Sequence, residues 1–106
     1  MSARPAQDID TANIVGHFID GQDVSDANRP EPVTNPATGE VTRHVAMASR
    51  QTVEDAIAAA EAAFPAWRDT PPIKRARIMF RFKQLLEEHA DQVVAAITDE
   101  HGKVLD

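Results

Sequence analysis

Apolar positions follow one period up to about residue 46 and another from Ser49 onward, which divides the chain into a strand region and a helical region. Residues before Ile14 show no periodicity and contain Pro5 with few large apolar groups, so a flexible lead-in is predicted over 1–13. His17-Phe18-Ile19 reads as a short strand, Asp20-Gly21 tolerates the positive φ of a tight turn, and Val24 lies on the return, which predicts a hairpin over 17–24. Pro30 and Pro32 each lack an amide donor and restrict the residue before them, so regular structure is expected to break there, leaving Val33-Thr34 short and extended. Asn35-Pro36-Ala37-Thr38-Gly39 has the residues of a turn, and Val41, Arg43 and Val45 alternate with Thr42, His44 and Ala46 as in a strand.

At Ser49 the period becomes 3.6. Ser49 is the predicted N-cap, with Thr52 three places on and Glu54 and Asp55 near the positive end of the helix dipole. Val53, Ala56, Ile57, Ala60, Phe64 and Trp67 share a face, and Pro65 predicts that this helix ends or kinks at about Phe64. Thr70 is the expected cap of a second helix over about 71–88, with Pro71 and Pro72 in a first turn that needs no amide donor. Its broad apolar face is Ile78, Met79, Phe82, Leu85 and Leu86. A third helix over about 90–101 carries Val93, Val94 and Ile97 and stops at Gly102. Val104-Leu105-Asp106 reads as the first residues of a further helix. The predicted architecture is α/β: short antiparallel strands over about 17–45, then three helices over about 50–64, 71–88 and 90–101.

A chain of 106 residues is one small domain at most. Domains of this size bury only somewhat over about 60% of their unfolded surface, so any core formed by this chain alone is expected to be marginal. Apolar residues at 42% and charged residues at 26% are ordinary for a folded protein and exclude a disordered or fibrous class. No apolar run approaches the roughly 18 residues needed to span a bilayer, and Asp8 and Asp10 stand where a signal peptide needs an apolar core, so the expected location is cytoplasmic. The net charge of −6 opposes binding to nucleic acid or anionic membrane. Charge is uneven, however: Arg68, Lys74, Arg75, Arg77, Arg81 and Lys83 lie within one stretch whose only acid is Asp69. Lys74, Arg77 and Arg81 fall on one helical stripe beside a core-like apolar face, which reads as a solvated or intersubunit face.

Candidate chemistry is sparse. The sequence has no cysteine, which excludes thiol nucleophiles, disulfides and thiolate metal sites within it. His17, His44, His89 and His101 lack the close pairing that sets two imidazoles on one helical face. Glu40 and His44, in a strand, stand about 13 Å apart at about 3.3 Å per residue and cannot share an ion. Gly16, Gly21, Gly39 and Gly102 have no phosphate-loop spacing. Glu87-Glu88 and Asp99-Glu100 have no companion base and read as helix-surface charges.

In order and spacing, four strings are similar to the N-terminal segment of the aldehyde dehydrogenase superfamily: His17-Phe18-Ile19-Asp20-Gly21, Asn35-Pro36-Ala37-Thr38-Gly39-Glu40-Val41, Ala63-Phe64-Pro65-Ala66-Trp67 and Glu100-His101-Gly102-Lys103. The likeness covers nearly all of residues 14–106. Phe64 to Thr70 and Arg77 to Lys83 most resemble the acylating, coenzyme-A-dependent branch that acts on methylmalonate and malonate semialdehydes in valine catabolism. The resemblance implies an enzyme in which a cysteine thiolate attacks the aldehyde, hydride passes to NAD, and the thioester is transferred to coenzyme A with loss of carbon dioxide. It also implies that the nucleophile, the oxyanion-stabilising asparagine and the nucleotide-binding elements follow the Glu-His-Gly-Lys region.

The chain is therefore expected to be an N-terminal fragment, inactive alone, with no catalytic or cofactor-binding residue of its own, whose partner is the remainder of a dehydrogenase that forms a homo-oligomer. Its likeness to the family implies one site: a structural monovalent cation held by the carbonyls of Val33 and Thr34 and the acid Glu100, with an ordinary exposed Glu100 as the alternative. The rival reading of the whole chain is a stand-alone helical interaction module that binds a protein partner.

Overall fold

The computed structural model describes residues 13–26 and 29–104. Nearly all of the lead-in and the last two residues lie outside that range, and Val104 belongs to no element. The first two strands are β1 (Ile14–Val15) and β2 (His17–Ile19), followed by β3 (Gln22–Val24), β4 (Pro30–Thr34) and β5 (Val41–Ala46). The helices are α1 (Arg50–Asp69), α2 (Pro72–Glu88) and α3 (Ala90–His101). Strands β2 and β3 form the expected antiparallel hairpin, with His17 opposite Val24 and Ile19 opposite Gln22. Asp20 and Gly21 both take positive φ, 52° and 73°, as a turn matched to the strand twist requires. The second sheet has the order β1-β5-β4, with β4 antiparallel to β5 and β1 parallel to it. That parallel pairing of Ile14 with His44 spans thirty residues and has no local signal in the sequence.

The turn between β4 and β5 uses its residues as expected. Asn35 Oδ1 accepts the Ala37 amide at 2.9 Å, the Gly39 amide donates to the Asn35 carbonyl at 2.8 Å, and Gly39 has φ of 75°. Ser49 caps α1 by accepting the Thr52 amide at 3.1 Å. Acid is absent from the first turn of α1, because Glu54 and Asp55 fall one turn later. Asp26 comes to the start of the helix instead: its Oδ2 accepts the Ser49 amide at 2.9 Å and the Thr52 hydroxyl at 3.2 Å. A carboxylate from a preceding loop thus occupies the positive end of the helix.

Three expectations based on proline and threonine are corrected. Pro30 and Pro32 do not break regular structure but lie inside β4. This strand is a sheet edge, and residues two apart point their backbone groups the same way, so both missing donors fall on the side that has no neighbour while Glu31 and Val33 face β5. Pro65 does not end α1, which runs on to Asp69. The helix is exposed throughout this stretch, so water can satisfy the Glu61 carbonyl that Pro65 leaves without a donor. Arg68 lies over the Phe64 ring at 5.7 Å, a pair one helical turn apart that the continued helix creates. Thr70 closes α1 and does not cap α2: its hydroxyl donates to the Ala66 carbonyl at 2.7 Å and its amide to Trp67 at 3.1 Å. The N-cap of α2 is Pro71, which offers no side-chain acceptor. The third helix ends as expected, on left-handed Gly102 with φ of 75°.

These elements enclose almost no interior. Ala46 is the only buried hydrophobic residue among those described. The apolar faces of all three helices are open to solvent, with Phe80 at 69%, Phe64 at 58% and Phe82 at 53% exposure. The radius of gyration is 18.2 Å, against roughly 13 Å for a compact domain of about 100 residues. Fully burying one such side chain is worth about 1.5–3 kcal/mol, and with these rings a little over half exposed, covering all three would contribute about 3–5 kcal/mol, near the low end of the stability of a native domain.

Two outcomes follow for the purified chain. It should bind a hydrophobic dye strongly, emit from its single Trp67 at the long wavelengths of a hydrated indole, and lose ellipticity gradually on heating. A sharp cooperative melt without dye binding would instead support the self-sufficient interaction module. Removing the carboxylate with Asp26→Ala should cost about 1 kcal/mol at the start of α1, seen as roughly fivefold faster hydrogen exchange of the Ser49 amide. Unchanged exchange would show that this contact does not hold the helix end.

Candidate functional site

Val33 and Thr34 close β4, opposite Arg43 and Val41 of β5, and the register shifts between them so that Thr42 is the unpaired residue of the bulge. The Thr42 hydroxyl donates to the Val33 carbonyl at 3.3 Å. The end of α3 is held beside this hairpin by two contacts. Arg43 reaches Asp99 at 3.5 Å, and Gly102 lies so close to Pro36 that an added Cβ would stand 3.0 Å from the ring Cγ. Glycine is needed there twice over, for the positive φ and for the close approach.

Glu100 is exposed on the last turn of α3, between these two contacts in sequence. Its carboxylate and the two carbonyls are all acceptors, so they cannot hydrogen-bond to one another. Asp99 is the exposed helix-surface charge read from sequence, and it also reaches Arg43 of β5. The available signal was Arg43, a charged residue sharing a strand face with Val41 and Val45. Asp26 offered no comparable signal, because an acid in a polar loop resembles any other.

The histidines come together in no metal cluster: no group of three or more His, Cys, Asp or Glu side chains able to hold an ion occurs among the described residues. The cationic stretch is partly neutralised by acids of the two helices that carry it. Lys83 pairs with Glu87, Arg81 lies 4.0 Å from Glu88, and Arg68 pairs with Asp69 at 2.9 Å. Glu87 and Glu88 thus act as partners for the cations one or two turns before them. Such exposed pairs add little stability, and they leave less unbalanced charge for a polyanion.

Concave regions among the described residues include the following two. One lies between the β2–β3 hairpin and α1 and is lined by Phe18, Ile19, Val53, Ala56, Ile57 and Ala60. The other, smaller one lies at the end of α3, against Val94, Ile97 and Lys103. The first is an open, mainly apolar surface that His17 and Thr52 also line. No described helix is long and apolar enough to cross a membrane.

Residues 23–106 match the sequence model of the aldehyde dehydrogenase family. The chain is 50% identical over 90 residues to malonate-semialdehyde dehydrogenase of Pseudomonas aeruginosa, an alignment covering 85% of this chain and 18% of the relative. It is 49% identical over 89 residues to malonate-semialdehyde dehydrogenase 3 of Geobacillus kaustophilus, covering 83% and 18%. Its structure superposes on methylmalonate-semialdehyde dehydrogenase of Oceanimonas doudoroffii with a TM-score of 0.85 at 55% identity, covering 88% of this chain and 19% of that one. A Sinorhizobium meliloti protein assigned the same activity and solved with NAD gives 0.83 at 41% identity, again covering 88% and 19%. The chain therefore spans about a fifth of the length of these relatives. With its strands, turns and three helices superposing on that opening fifth, this chain belongs to the aldehyde dehydrogenase family.

Proposed function

We propose that this chain is the N-terminal segment of an NAD-dependent, coenzyme-A-acylating dehydrogenase that converts methylmalonate or malonate semialdehyde to propionyl-CoA or acetyl-CoA. The observation that carries this reading is the superposition at 55% identity over 88% of the chain on the Oceanimonas enzyme. The segment is structural: its helices pack on the remainder of the dehydrogenase, within a homo-oligomeric cytoplasmic enzyme, and help to position the nucleotide-binding part. The open apolar faces of α1, α2 and α3 support that role, because a covering layer would remove Phe64, Phe80 and Phe82 from water. No residue here is assigned to hold NAD or coenzyme A, since the four glycines have no phosphate-cradle spacing, and none is assigned to the chemistry, since there is no thiol.

The purified chain should form no NADH from methylmalonate semialdehyde in the presence of NAD and coenzyme A, and turnover by it would overturn the structural role. A chimera in which it replaces the matching segment of the Pseudomonas relative should keep coenzyme-A-dependent activity within an order of magnitude of that enzyme. A folded but inactive chimera would sink the reading. In the same chimera, a monovalent cation at Val33, Thr34 and Glu100 should appear as a rise in melting temperature when potassium or sodium replaces a bulky organic cation. Glu100→Gln should abolish that rise without altering KM for the aldehyde, and an unchanged rise would place the ion elsewhere.

A further inference from the structure

We draw no further inference here: the strongest candidate, the open apolar groove between the β2–β3 hairpin and α1, is an unpartnered face, and nothing in the structure shows what covers it beyond the remainder of the dehydrogenase already proposed.

Discussion

Apolar area left uncovered is the constraint on which the rest of this structure depends. A chain with 42% apolar residues has the material for a core, yet among the described residues only Ala46 is withdrawn from water as a hydrophobic side chain. The reason lies in the arrangement of elements, not in composition. Three helices in series contribute one apolar face each, but α2 and α3 touch at few positions and the apolar face of α1 borders an open groove against the β2–β3 hairpin. An amphipathic helix gains most of its stability from the face it buries, so these helices rest on propensity, caps and local pairs until something covers them.

What joins the elements is mainly polar. The β1-β5-β4 sheet is held by its backbone ladder, the Asp26 carboxylate binds the start of α1, and Arg43 with Asp99 binds the end of α3. Each tie is exposed or only partly buried, and ties of that kind set geometry more than they add free energy. The close seat of Gly102 against Pro36 acts in the same way, fixing where the chain goes after α3. The same geometry recurs over 88% of the chain in a relative about five times its length.

Local chemistry was the legible part. The positive-φ pair Asp20-Gly21, the Asn35–Gly39 turn, the Ser49 cap and the Gly102 stop were all readable because each is decided by a few adjacent residues. Misreadings arose where a local rule met a setting that excused it. Proline in a strand costs little when the strand is an edge, and proline late in a helix costs little when water reaches the freed carbonyl. Thr70 had two helix ends within reach, and the one behind it offered a carbonyl for its hydroxyl while the one ahead was already opened by proline.

The amino-acid sequence by itself determined the β2–β3 hairpin, the strand β5, the order of the three helices, the family and the absence of a thiol nucleophile, because these depend on residue identity and short-range spacing. Only the tertiary structure decided that β1 pairs in parallel with β5, that Asp26 serves α1, that Asp99 and not its neighbour meets Arg43, and that the helical faces stay open. Those contacts join residues from 23 to 56 positions apart or depend on what fails to pack, and neither is encoded in any local window.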